Sequence, residues 1–266
     1  MEFLEKLQQN PWKDLWWNVP EQKLGTVTVV GGNAGGFRAV VKTAEYLTRE
    51  YPVREVRIAV PDALRGKLPE MEGVIWLAST DSGSMADGDE VARALDSSDW
   101  GLVVGDLSKN AITAREMLSA VKEAERPVLV TRDAVDLIAA PGVDMALLNE
   151  RLVVFASMAQ LSKLLQAAYY PKVLMMSQPL VQVVEALHKF TLSYPMGVVT
   201  LHDGQILVAK DGRVVGFSLE LAGVSPLMLW GGEVAARIVA LNLYNPGKFV
   251  EATVTGILGE KAAARD

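Results

Sequence analysis

Glycine, glycine and glutamate at the mouth of a helix are the first residues here whose types could do chemistry. Gly231-Gly232-Glu233 precede a run of small and aliphatic residues that continues to Asn245-Pro246-Gly247. A helix N-terminus carries unpaired N–H groups and a partial positive charge, and glycines let an anion approach them closely. Glu233 falls in the first turn, where it either complements the helix dipole or acts on whatever the glycines hold. A second glycine-rich stretch, Gly31-Gly32-Asn33-Ala34-Gly35-Gly36-Phe37, follows a β-branched run. Four glycines in seven residues exceed what one tight turn requires and favour close approach of a ligand. No Gly-Lys-Ser/Thr follows, so this is not a P-loop, and the spacing is not that of a dinucleotide fingerprint. Asp106 and Lys109 follow an apolar strand pattern into a loop. His202-Asp203 pairs an imidazole with a carboxylate, although neighbours on a strand point to opposite faces.

These residues need a frame. Apolar, β-branched runs begin near Thr26, Val53, Val74, Trp100, Pro127 and Leu152, most of them separated by helical patterns. Near-continuous apolar strands alternating with helices predict a parallel sheet covered on both faces. Three further short strands, at 197–201, 205–209 and 213–217, are separated by Asp203-Gly204 and Asp211-Gly212, which are hairpin signals. An antiparallel hairpin is therefore expected at one edge. Residues 79–90 read as a loop. The ends of the chain read as helical: an amphipathic helix and aromatic segment before Gly25, carrying Trp12, Trp16 and Trp17, and a last helix over Phe249–Ala264. This makes an N-terminal segment, 1–24, and one domain, 25–266. In such sheets ligands sit at the carboxyl ends of the strands. The loops to examine are Gly31–Phe37, Gly105–Asn110, Thr131–Asp133, Ala156–Gln160 and the pair Gly231-Gly232.

Composition narrows the chemistry. Half of the 266 residues are hydrophobic, the net charge is −6, and no basic stripe is present, which argues against nucleic acid as a partner. The absence of cysteine excludes disulfides, thiolate nucleophiles and thiolate metal sites. His188 and His202 are the only imidazoles, too few for a site of three histidines. No apolar run reaches the roughly 20 residues of a membrane span, and no signal peptide is visible, so the expected address is the cytoplasm.

The order of loops resembles the ribokinase-like ADP- or ATP-dependent NAD(P)H-hydrate dehydratases, from about Gly25 to Ala264. Gly32-Asn33 through Phe37-Arg38-Ala39 is similar to that family's substrate loop. Asp99–Leu107 is similar to "D-x-x-V-I-G-P-G-L-G", and Pro127–Ile138 to "P-V-V-L-D-A-D-A-L-x-L-L". Val154–Leu165 aligns with "L-T-P-H-P-G-E-F-x-R-L-L", Val199–Ala209 with the "V-L-K-G-x-x-T-x-I-A" hairpin, and Gly231-Gly232-Glu233-Val234 with "T-G-D-V". The resemblance implies a three-layer ribokinase-like α/β fold. It also implies phosphorylation of a hydroxyl followed by elimination, with Glu233 as base and the backbone of Gly231 and Gly232 holding the phosphoryl group. His202, Asp203 and Lys109 then fall on the anion and nucleotide side. Gly32, Asn33, Phe37, Asp106, Asp133, Ser157 and Gln160 fall on the substrate side. The cofactors to look for are ADP or ATP, with Mg2+, and the partners are an NAD(P)-like or nucleotide ligand and further copies of the chain in a dimer or tetramer.

The departures from that pattern cluster on the site. Glu233 stands for the aspartate of T-G-D-V and Trp230 for the glycine of the anion hole that precedes that motif; Thr131 stands for the first aspartate of D-A-D. Ala156–Gln160 replaces P-H-P-G-E, and His202-Asp203 replaces Lys-Gly. Three readings stay open: an enzyme acting through Glu233 on a different hydroxyl, a binding protein that has lost turnover, and a partner subunit with a vestigial pocket.

Overall fold

A computed structural model describes residues 2–139, 149–171 and 174–259. The frame begins with β1 (Leu4–Lys6), β2 (Thr26–Val30), α1 (Arg38–Glu50), β3 (Glu55–Pro61) and β4 (Val74–Leu77). It continues through α2 (Gly88–Asp96), β5 (Trp100–Val103), α3 (Ala111–Glu123), β6 (Val128–Thr131), α4 (Asp133–Ile138), β7 (Leu152–Ser157) and α5 (Met158–Ala167). Then come α6 (Leu180–Ser193), β8 (Gly197–His202), β9 (Gln205–Lys210), β10 (Arg213–Ser218), α7 (Leu219–Ala222), α8 (Pro226–Leu229), α9 (Gly232–Tyr244) and α10 (Phe249–Leu258).

All ten strands form one sheet in the order β1-β10-β9-β8-β7-β6-β5-β2-β3-β4. From β8 through β7, β6, β5, β2 and β3 to β4 the pairing is parallel; β9 is antiparallel to both β8 and β10. The two connecting turns have positive φ at Asp203-Gly204 and at Asp211-Gly212, as the hairpin signals require. Alternate strand residues enter two cores. Val103, Val130, Val154 and Val198 pack with α2 to α6, whereas Val29, Leu129, Phe155 and Val199 pack with α1, α9 and α10. The result is the three-layer α/β arrangement expected, with a mostly parallel sheet and a late antiparallel edge.

Three expectations are corrected. The N-terminus is not an amphipathic helix at residues 4–6: these pair in parallel with β10, Leu4 opposite Val214. Phe3 stacks on His188 at 4.1 Å between centroids, and Arg213 binds Glu5 at 2.9 Å, so side chains from α6 and β10 hold an otherwise short edge strand. The turn of 3-10 helix at Lys13–Asn18 buries Trp16 against Tyr51, while Trp17 stays exposed. The loop at 79–90 gives way to α2 already at Gly88, because the Asp87 side chain accepts from Glu90 N–H and starts a helix. The last helix ends, among the described residues, at Leu258, capped by Gly259 in the left-handed region; residues 260–264 lie outside them.

The entry to β5 is pinned to β2 by a single carboxylate. Asp99 Oδ2 accepts from Thr26 N–H at 2.8 Å and from its hydroxyl at 2.9 Å, and the same hydroxyl accepts from Asp99 N–H. Thr26 is buried. Asp99→Ala leaves that N–H without its acceptor and is expected to lower stability by about 1–3 kcal/mol, whereas Asp99→Asn retains most of it. Urea unfolding of the two variants beside the parent decides this.

Candidate functional site

The strand order reverses between β2 and β5, since the chain runs outward from β2 to β4 in one direction and from β5 to β8 in the other. Crevices at such points, outside the carboxyl ends of the strands, are where open α/β sheets take ligands. The two loops that meet there are Gly31–Phe37 and Gly105–Asn110, as expected from sequence. They are stitched together. Gly32 N–H donates to Gly105 C=O at 3.3 Å, Asn33 Nδ2 donates to Asp106 C=O at 2.5 Å, and Ala39 N–H donates to Asp106 Oδ2 at 2.9 Å. Ala39 is in the first turn of α1, so Asp106 supplies the negative charge that this helix end attracts. Asp106 itself has a φ of 62°, in the left-handed region. Phe37 precedes α1 and packs partly buried on the core, and Gly32 has a φ of 85°.

Behind this pair lies Asp133, the first residue of α4. Its Oδ2 accepts from Leu107 N–H at 2.9 Å; its Oδ1 is buried and has no hydrogen-bond partner. Burial raises the Asp133 pKa above the usual carboxylate range, against the opposing Leu107 N–H. Gly105 has to be bare here, because a Cβ on it would meet Asp133 Oδ1 at 2.5 Å and Arg132 Nε at 2.6 Å. Arg132 was not singled out from sequence. Its backbone is strained at a φ of 55° and its guanidinium lies 3.6 Å from Asp106 Oδ1. The only signal was an arginine between Thr131 and Asp133, one position inside the aspartate pattern.

Lys109, Ser157 and Gln160 come together through a residue that was also missed, Asp136. It accepts from Lys109 Nζ at 3.2 Å, Lys163 Nζ at 2.8 Å and Gln160 Nε2 at 3.2 Å. Burial works against its ionised form, but the hydrogen bonds from Lys163, Gln160 and Lys109 outweigh it and hold the Asp136 pKa below the ordinary range. Ser157 and Gln160 form a capping box at the start of α5, and Gln160 Nε2 also donates to Arg132 C=O at 2.6 Å. His202 is buried with Nε2 2.8 Å from Gln178 C=O, and Asp203 is an exposed turn residue.

The mouth of α9 is separate from this network. Gly231 is its N-cap and supplies no capping side chain, as is also the case for the N-caps of α1, α4, α6 and α10, whereas those of α2, α3, α5, α7 and α8 accept from their own first turns. Among the described residues, no side-chain acceptor meets the N–H groups of this turn. Gly232 is explained by packing: a Cβ there would lie 1.8 Å from Thr43 Oγ1 on α1. Glu233 is exposed, and its charge acts on Tyr46 and Arg49 along the flank of α1. Among the described residues, no hydrogen bond or ion pair joins it to Asp106 or Asp133. Trp230, where a bare backbone was expected to matter, turns its ring onto Phe155 of β7 at 4.9 Å between centroids.

No cluster of three or more histidine, aspartate or glutamate side chains that could hold a metal occurs among the described residues. The two carboxylates in the crevice are tied to backbone N–H groups with Arg132 beside them, an arrangement that does not suit a dedicated divalent-ion cage. Mg2+ commonly binds through one or two carboxylates and the phosphates of its nucleotide, which requires no such cage. A cavity of about 1030 Å3 exists, but it opens at the amino ends of the strands, opposite the crevice. The case for the crevice therefore rests on chemistry and topology rather than on concavity.

No protein-family model and no curated protein sequence matches the chain. Solved structures do. A ribokinase-like superfamily protein from Enterococcus faecalis superposes with a TM-score of 0.65 at 13% identity, over 97% of this chain and 86% of that one. The ADP/ATP-dependent NAD(P)H-hydrate dehydratase of Bacillus subtilis, co-crystallised with ATP/Mg2+, gives 0.58 at 10%, over 94% and 85%. Adenosine kinase from Anopheles gambiae, in complex with a di-adenosine tetraphosphate, gives 0.52 at 10%, over 96% and 89%. At these identities the likeness establishes the fold, which is ribokinase-like.

Two expected outcomes follow from this geometry. Gly232→Ala should cost about 1–3 kcal/mol through overpacking, and much of that cost should vanish in a Thr43→Ala background; a double-mutant cycle by urea unfolding measures the coupling. The two aspartates should respond to pH with opposite sign. Asp133 has a raised folded pKa, so its ionisation penalises the fold increasingly as pH rises from about 4, and Asp133→Asn gains on the parent over that range. Asp136 has a lowered folded pKa, so its contribution is full at neutrality and lost in acid, and the deficit of Asp136→Asn should close as pH falls below about 4. Stability measured at a series of pH values checks both slopes.

Proposed function

We propose that the chain binds a nucleotide or a related phosphorylated metabolite at the carboxyl pole of its sheet and has lost NAD(P)H-hydrate dehydratase turnover. The observation that carries this reading is the α9 N-terminus: two glycines, no capping side chain, and a position at the ligand-bearing end of a ribokinase-like sheet. The N–H groups after Gly231 would hold phosphoryl oxygens, and the helix dipole would favour their charge. Lys109, exposed and paired with Asp136, is a candidate for a further phosphate contact. The dehydratase and the adenosine kinase, which share the fold, were crystallised with adenine nucleotides, which supports the ligand class.

Loss of turnover is supported by where the polar groups are spent. Asp106 serves α1, Asp133 serves the Leu107 amide, and Ser157 and Gln160 cap α5. Glu233 is exposed beside Tyr46 and Arg49 rather than bonded into the crevice. A general base must reach the proton it takes to within about 3 Å, and a group displaced by one methylene already loses much of that advantage. A second reading, a kinase acting on another small hydroxyl compound, is favoured by one observation: Glu233 does occupy the first turn beside the glycines.

Thermal denaturation with ADP, ATP, AMP, NADH and NADPH tests the proposal. A ligand at a hundredfold its Kd adds about 2.7 kcal/mol to the folded state, so at least one adenine nucleotide at millimolar concentration should raise Tm by several degrees. Gly231→Asp, which places a carboxylate on the free N–H groups, should abolish that rise while the protein stays folded. NADH should not be regenerated from its hydrate. If no nucleotide shifts the transition, binding at this pole is wrong; if NADH is regenerated and Glu233→Gln abolishes it, the chain is an enzyme.

A further inference from the structure

The cavity of about 1030 Å3 lies at the pole opposite the nucleotide reading, where strands begin. Its lining comes from the segments entering β5, β6 and β7, the turn from β9 to β10, the end of α9 and the start of α10. Trp100, Leu243 and Phe249 give it an apolar side. Arg54, Arg126 and Arg151 stand around it; none of the three makes an ion pair or a side-chain hydrogen bond among the described residues, and Arg54 acts at longer range on Glu55.

Of the four acids in the lining, two are engaged elsewhere, and Glu150 and Asp211 act on Lys210. Asp99 Oδ2 is taken by Thr26, and Glu251 is taken by Arg213, which also binds Glu5. Lys210 adds a half-buried ammonium. It donates to Glu150 C=O at 2.8 Å and sits 5.1 Å from the centre of the Phe249 ring. Burial lowers its pKa, and the charges of Asp211 and Glu150 oppose that shift. In a chain of net charge −6, the lining carries five cationic and four acidic side chains, a local excess of one positive charge. Guanidinium is the group best matched to carboxylate and phosphate oxygens.

The spacing of these groups defines a size. Val128 pairs with Leu152, so Arg126 and Arg151 precede adjacent strands that lie about 5 Å apart, one residue out of register with each other. Arg54 enters β3, three strand spacings from β6 in the sheet order, or roughly 14 Å from Arg126. An anionic head at Arg126 and Arg151 leaves room for an apolar body along Trp100, Leu243 and Phe249. We infer that this amino-pole cavity is a second binding site, for an organic anion that combines a phosphate or carboxylate head with a planar or aliphatic body.

The probe is the naphthalene sulfonate dye ANS, which has both features, titrated into the intact protein and read by fluorescence. One saturable site per chain is expected. The Arg126→Glu/Arg151→Glu double variant, altered at an exposed and a half-buried side chain, should weaken binding by roughly tenfold or more with unchanged circular dichroism. Arg54→Glu provides a second variant at the far end of the cavity, expected to weaken it less. Displacement by phenyl phosphate alone assigns a phosphate head, by octanoate alone a carboxylate head, and by both a site for either. Displacement by neither, dye binding indifferent to the double charge reversal, or no saturable site overturns the inference. The Gly231→Asp variant should bind the dye like the parent, which keeps this result independent of the nucleotide reading at the other pole.

Discussion

Asp106 is the residue on which the carboxyl pole depends. One carboxylate oxygen lies on the first turn of α1, its backbone carbonyl takes the Asn33 amide, and Arg132 stands beside its other oxygen. These contacts join the two loops at the point where the sheet reverses direction. Without that carboxylate the loops would keep only their bonds to backbone carbonyls, and the Ala39 N–H at the start of α1 would lose its acceptor. The protein has thus met one helix N-terminus from within and left another, that of α9, without a side-chain acceptor.

The same economy governs the rest of the pole. Capping boxes, amide acceptors and ion pairs all satisfy groups that burial would otherwise penalise. A carboxylate committed to a backbone N–H is pre-oriented, but it is also less available to a reacting proton. Asp133 is the exception within the crevice, with one oxygen bonded and the other buried and bare. Low dielectric makes such a group costly in its ionised form, which is the physical cause of its raised pKa.

Much of the frame was legible because its signals are local. Alternating apolar strands, the two aspartate-glycine turns and the helix after Gly231-Gly232 all follow from periodicity and turn chemistry. The edge strand Leu4–Lys6 was not legible, since three residues carry no period and its pairing with β10 depends on contacts made more than two hundred positions away. At the carboxyl pole, the loops that meet at the reversal of strand order were legible, but the contacts of their side chains were not derivable. Glycine at 232 reads the same whether a phosphate or Thr43 occupies the space beside it, and only the packing of α9 on α1 distinguishes the two. Arg132 and Asp136 were overlooked because their importance comes from what neighbouring strands bring to them, not from their spacing.

Helix α9 has a geometric consequence of its own. Thirteen residues make a rod about 20 Å long. Its first turn faces the carboxyl pole and its last, Asn242 to Tyr244, forms part of the wall of the opposite cavity. Because Gly232 is wedged against Thr43 with no slack, the rod has little freedom to slide along α1. Drift in sequence along its buried length therefore shifts both ends together, so the two poles cannot be reshaped one at a time through this helix.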